Sequence, residues 1–199
     1  MSALAVLASG NGSNFEALAL ALRSRPLGEG PRHECVLLIY DRKAAFAAER
    51  AGKLGIPSRH VSYYGREASD AEADISAALD EARADLVALA GFMRMLSPSF
   101  VAARADRIVN VHPSLLPKWP GAHAIERAYR SGEREFGATV HFVDEGMDTG
   151  RVIDSGSFIA ESSETLEEIE SRVHGIEHIV YPRAILGILD SLEAERGRP

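Results

Sequence analysis

Ala3-Leu4-Ala5-Val6-Leu7-Ala8-Ser9-Gly10-Asn11-Gly12-Ser13-Asn14 is the stretch whose reading decides the fold class. Its first six residues are apolar without a break. A short continuous run of this kind suits a strand covered on both faces, as in a parallel sheet. The run passes directly into Gly10-Asn11-Gly12, and Ser13-Asn14-Phe15-Glu16 then reads as a capping box that opens a helix over Asn14–Arg23. Strand, glycine turn and helix in that order form the first unit of a doubly wound sheet.

The same alternation continues outward. Cys35–Tyr40, Asp85–Ala90 and Arg107–Val111 are further buried-strand runs, separated by helix-like stretches over Lys43–Leu54 and Arg66–Arg83 and a shorter one after Pro98. This pattern predicts an α/β fold with a doubly wound, mostly parallel sheet and right-handed crossovers. Thr139–Val143 and Val152–Ile159 read as two strands joined by Asp144–Gly150, an antiparallel addition. A long C-terminal helix is predicted to start at the capping box Thr165-Leu166-Glu167-Glu168. Leu166, Ile169, Val173, Ile176 and Val180 form its apolar stripe. Pro182 is expected to kink or interrupt it, and the charged tail Glu193–Pro199 to fray. No linker-like stretch divides the chain, so residues 1–199 are read as a single domain.

Composition narrows the function classes. The 199 residues are 46% hydrophobic and 26% charged, which suits one globular domain with a sizeable core. With 22 basic and 29 acidic residues, the net charge of −7 disfavours a nucleic-acid partner. Cys35 is the lone cysteine and cannot form an internal disulfide; it reads as a buried thiol in a reducing compartment. No apolar run approaches the ~20 residues of a membrane span. Ala3–Ala8 is too short for a signal core and has no basic leader. A cytoplasmic protein without membrane contact is expected, and monomer and homodimer both stay open.

Three segments carry the chemistry. The glycine loop presents backbone donors at a helix N-terminus, an anion site suited to a phosphate; a tight turn without ligand is the competing reading. A dinucleotide fingerprint is incomplete because Phe15 holds the third glycine position, and no Walker lysine is present. Asn110 and His112 stand two apart at a strand end, hence on one face, where an amide and an imidazole can stabilise an oxyanion and move a proton. Asp148, in the turn-rich loop Asp144–Gly150, is a carboxylate that could orient His112. His174-Gly175-Ile176-Glu177-His178 matches a metalloprotease pattern, with two histidines at i and i+4, but no third ligand has clear context. Structural pairing or a substrate contact through Glu177 is preferred over a metal.

Together SGNGSN at Ser9–Asn14, LAGFMRMLSP at Leu89–Pro98, NVHPSLLP at Asn110–Pro117, DEGMDTG at Asp144–Gly150 and RVHGIEHIVYP at Arg172–Pro182 resemble the folate-dependent formyltransferase family, in its glycinamide ribonucleotide branch. The resemblance covers about residues 3–190. It implies a Rossmann-like formyltransferase fold whose first half binds a mononucleotide and whose second half is folate-binding and catalytic. It also implies 10-formyltetrahydrofolate as cosubstrate, glycinamide ribonucleotide as acceptor, and no metal. By that resemblance Gly12, Ser13 and Asn14 hold the substrate phosphate, Glu177 contacts the ribonucleotide, and Asn110, His112 and Asp148 are the catalytic trio. Met93, Arg94, Met95 and Leu96 align with the pterin pocket, Arg66 with a residue near the glutamyl tail, and Asn110 and Asp144 also with folate contacts. Without it, Met93, Met95 and Leu96 read as core packing and Arg66 as a solvated helix-start residue. Arg151 departs from the proline usual after Asp-Thr-Gly. Alternatives are a tRNA-linked formyltransferase, a formyltetrahydrofolate hydrolase of the same fold, or a nucleotide-binding module without catalysis. The short acidic chain disfavours the tRNA-linked relative.

Overall fold

The computed structural model describes residues 1–25 and 30–197. In chain order the elements are β1 (Ala3–Ala8), α1 (Ser13–Ser24), β2 (Glu34–Tyr40), α2 (Ala47–Leu54), β3 (Ser58–His60) and α3 (Ala68–Glu81). They continue as β4 (Leu86–Leu89), α4 (Pro98–Ala102), β5 (Ile108–His112), α5 (Ala124–Arg130), β6 (Glu135–Phe142), β7 (Val152–Ile159) and α6 (Leu166–Arg196). One sheet runs β3-β2-β1-β4-β5-β6-β7. β1 to β5 are parallel, and β6 and β7 are added antiparallel, as the sequence pattern predicts.

Both faces of the sheet are covered, which explains the unbroken apolar runs. Leu4, Val6 and Ala8 point to the layer that contains α1 and the second half of α6. Ala5 and Leu7 point the other way, to Ala71, Ile75 and Leu79 of α3 and Phe100 of α4. Cys35 is buried among the first group.

Several local expectations shift. The N-cap of α1 is Gly12, not Ser13, because the turn needs a left-handed residue, with φ 78°. The predicted Ser13–Glu16 capping box therefore does not form, and the Glu16 carboxylate pairs with Arg50 instead. α2 begins at Ala47 rather than Lys43, since a turn closes there through Ala45 N–H to Arg42 C=O. α3 begins at Ala68 rather than Arg66. β3 and α5 had no recognised signal; β3 is three exposed polar residues on the sheet edge. The capping box at Thr165 does form.

Pro182 neither breaks α6 nor ends it: the helix runs from Leu166 to Arg196, 31 residues in all. Proline removes one helical hydrogen bond, and the tertiary anchors on either side outweigh that loss. Tyr181 is completely buried and its hydroxyl lies 3.1 Å from Leu89 C=O and 2.9 Å from Val109 C=O, on β4 and β5. The tail does not fray before Arg196: Glu193 binds the Met1 ammonium and the Ser2 hydroxyl, and Arg196 pairs with Asp85. Residues 198 and 199 of the predicted frayed tail lie outside the described residues.

Replacing Tyr181 with Phe strips the donor from two buried carbonyls while keeping the ring. A loss of about 1–3 kcal/mol is expected, measured by urea unfolding; an unchanged midpoint would show that the hydroxyl is not an anchor.

Candidate active site

The glycine loop leaves β1 at its carboxyl end. Gly12 cannot be replaced easily, because a Cβ there would stand 2.6 Å from the Ala47 Cβ in addition to the positive φ. α1 then starts at Ser13, directly after Gly12, with no side-chain cap. Asn14, in that first turn, donates from Nδ2 to Glu177 Oε2 at 2.8 Å. Glu177 lies on α6 and is only 4% exposed. Two residues assigned separately to the ribonucleotide are thus in direct contact, 163 positions apart. His174 Nδ1 stands 3.0 Å from the same Glu177 oxygen, and this hydrogen bond raises the His174 pKa. His178 shifts down, chiefly through burial. Glu177 of the metalloprotease-like pattern is therefore engaged by Asn14 and His174, and among the described residues no three His, Cys, Asp or Glu side chains could hold a metal ion.

Asn110 and His112 sit on β5, on one face, and the β5–β6 register sets Asn110 opposite His141 and His112 opposite Thr139. Asn110 Nδ2 lies 3.3 Å from His141 Nε2, while His141 Nδ1 donates to Phe142 C=O at 2.9 Å. Asp148 completes the group from the β6–β7 loop. Its Oδ2 lies 3.3 Å from His112 Nδ1 and its Oδ1 3.6 Å from His141 Nε2. His112 Nε2 donates to Trp119 C=O at 2.9 Å, so both His112 nitrogens face acceptors, an arrangement that an imidazolium satisfies. Sequence reading missed His141. The signal was present: Thr139-Val140-His141 repeats the polar-apolar-polar pattern of Asn110-Val111-His112.

Asp148 is held in the left-handed region, with φ 56°, and Gly121 N–H donates to its Oδ2 at 2.7 Å. Asp144 shapes the same loop: its Oδ1 accepts from Gly146 N–H at 3.1 Å and from the Thr149 hydroxyl at 2.7 Å. Arg151, in the position where proline was expected, lies 4.4 Å from the Phe142 ring centroid and 3.6 Å from Asp106. A cleft of about 250 Å³ opens beside this loop, lined by Leu116, Pro117, Pro120, Met147, Asp148 and Val152. A larger hollow, about 420 Å³, lies at the other end of the sheet beside Asp85, Arg107 and Arg196; it holds none of these groups.

The segment after β4 is tied to the glycine loop, since Met93 N–H donates to the Ser9 hydroxyl at 2.8 Å. Met93 and Met95 are 63% and 65% exposed, so the core-packing reading fails for both. Leu96 packs half-buried against the α3 layer. Arg94 donates Nε–H to Asp41 at 2.6 Å and lies 5.2 Å from the Tyr63 ring centroid. Arg66 pairs with Asp74 of α3 at 2.8 Å and donates to Ser62 C=O at 3.5 Å.

The Asp148 carboxyl is lowered from 3.8 to about 2, first by the His141 ring, against a burial cost, then by the Gly121 amide and the His112 charge. A lowered folded value means that the ionised carboxylate stabilises the fold above its ordinary pKa and loses that contribution as pH falls through the folded one. The stability gap between the parent protein and Asp148→Asn should therefore narrow between pH 3.8 and about 2. Acid unfolding followed by circular dichroism measures this, and a constant gap would contradict the assignment.

Comparison with known proteins agrees with this geometry. The formyl transferase family matches residues 2–185. The phosphoribosylglycinamide formyltransferase of Bacillus subtilis (strain 168) is 40% identical over 192 residues, covering 95% of each chain. A trifunctional purine biosynthetic protein adenosine-3 of Drosophila melanogaster is 43% identical over 185 residues, 92% of this chain; the chain spans only 13% of that protein's length. Among solved structures, glycinamide ribonucleotide transformylase 1 from Geobacillus kaustophilus superposes with a TM-score of 0.87 at 41% identity, covering 95% of this chain and 99% of that one. Fold, motif placement and relatives converge: the chain belongs to the formyl transferase family, among its phosphoribosylglycinamide formyltransferases.

Proposed function

We propose that the protein transfers the formyl group of 10-formyltetrahydrofolate to the amine of glycinamide ribonucleotide, a step of purine biosynthesis. The observation that carries the reading is the cluster of Asn110, His112 and Asp148 around one face of the sheet end, with His141 behind it. The Gly12–Asn14 turn and Glu177 supply a second, separate polar site for the ribonucleotide. The apolar surface of Met93 and Met95, beside half-buried Leu96, fits a flat heteroaromatic ring at the carboxyl end of β4. Asn110, Asp144, Arg94 and Arg66 are the polar groups that would complete the folate contacts.

The formyl donor supplies an electrophilic carbon whose bond to N10 breaks as the new carbon–nitrogen bond to the amine forms. One proton leaves the amine and one reaches N10, so the exchange balances without a covalent enzyme intermediate. Negative charge develops on the formyl oxygen, and hydrogen-bond donors preorganised for it stabilise the transition state. Asn110 Nδ2 and the Nε2–H edge of His112 are those donors. In the structure that edge donates to Trp119 C=O, an acceptor whose place the formyl oxygen would take. Asp148 holds the His112 ring through Nδ1, and its fixed negative charge beside the reacting groups favours passage of the amine proton toward N10.

Replacing His112 with Ala or Asp148 with Asn should lower kcat by about 10²–10³ or more, with ribonucleotide binding retained. The absorbance change of the folate on mixing protein, formyl donor and glycinamide ribonucleotide measures this. Full activity in either variant would remove the assignment. A change equally fast without the ribonucleotide would mean hydrolysis rather than transfer.

A further inference from the structure

Two successive carbonyls of the glycine loop are held by one neighbouring helix. Ala47 N–H, at the start of α2, donates to Gly10 C=O at 3.1 Å. One turn later Arg50 donates Nε–H to Asn11 C=O at 3.0 Å and Nη2 to Asn11 Oδ1 at 2.9 Å. Its Nη1 pairs with Glu16 in the first turn of α1, and its guanidinium lies 5.1 Å from the Phe46 ring centroid. The Arg50 side chain is only 19% exposed. Each of the three guanidinium nitrogens thus has a partner within the protein, which fixes the plane of the fork.

What the fork offers is orientation. In a planar trans peptide the carbonyl and the following N–H point to opposite sides. Drawing the Gly10 and Asn11 carbonyls toward α2 therefore turns the Asn11 and Gly12 amides away from it. Gly12 in the left-handed region followed by helical Ser13 curves these amides into an anion-binding concavity. Among the described residues no acceptor meets the N–H groups of residues 11 to 15. The charge pattern agrees. Glu16 in this first turn would repel a phosphate, and the Arg50 ion pair neutralises it.

We propose that Arg50 is a positioning residue that sets the affinity for the substrate phosphate through the Asn11–Asn14 backbone, without touching the phosphate itself. The proposal rests on the reading of this loop as the phosphate site. Arg50→Lys and Arg50→Met separate charge from geometry, because lysine keeps the charge and loses the planar fork. Both variants should raise KM for glycinamide ribonucleotide about tenfold to hundredfold, with kcat and the KM for the formyl donor nearly unchanged. With glycinamide ribonucleoside, which lacks the phosphate, kcat/KM should equal that of the parent protein.

Wild-type KM in Arg50→Lys would show that charge alone matters and overturn the proposal. An equal loss on ribonucleotide and ribonucleoside would overturn it too, by revealing a general structural role. If the parent protein does not distinguish the two substrates, the loop is not a phosphate site and the underlying reading fails, with the proposal. Should Arg50→Met not fold, Arg50→Lys alone decides.

Discussion

Strands β1 to β5 run in one direction and are covered by helices on both faces, so polar groups that must stay accessible are confined to the strand ends. The chain places its chemistry there. Ser9 and the glycine loop follow β1, Asp41 follows β2, Met93 and Arg94 follow β4, and His112 closes β5. The inner residues of the same strands are spent on packing. Anchors such as the Tyr181 hydroxyl hold β4 and β5 to α6, and the same helix carries Glu177 to the first turn of α1. The site is therefore a consequence of how the sheet is buried.

Switching direction at β6 has a separate effect. Antiparallel pairing sets His141 directly opposite Asn110 and lets the β6–β7 loop fold back over the end of β5. Asp148 then meets two imidazoles and a backbone amide. A left-handed non-glycine residue costs on the order of 1–3 kcal/mol; here those contacts and the Asp144 turn hold it in place. For the anionic substrates proposed above, an acidic chain has to meet the demand locally. Backbone amides, the spent charge of Arg50 and the Arg94–Asp41 pair shape small regions of the surface, while the net charge of −7 remains unfavourable.

Much of this was legible beforehand because it is local. Ala3–Ala8, the glycine turn and the Thr165 capping box each carry their own signal over a few residues. So does the Asn110–His112 pair, since spacing by two on a strand fixes a shared face. The failures have specific causes. The helix start at Ser13 moved because a positive φ at Gly12 outranks a side-chain cap, and Glu16 had a better partner in Arg50. Pro182 failed to stop α6 because neighbouring Tyr181 is locked into the sheet. β3 has no apolar pattern, because it is a short exposed edge. Exposed Met93 and Met95 ran against the core reading that hydrophobicity alone would give.

By itself the sequence determined the doubly wound order, the two antiparallel strands, the glycine loop and the shared face of Asn110 and His112, all of which follow from runs, periods and spacings along the chain. The tertiary structure alone decided which of them meet: Asn14 with Glu177, Asp148 with His112 and His141, and Arg50 with Asn11. Those pairs lie many residues apart, and their contact depends on strand order, register and helix packing. Such quantities arise from burying the whole core at once, and no local stretch of sequence encodes them.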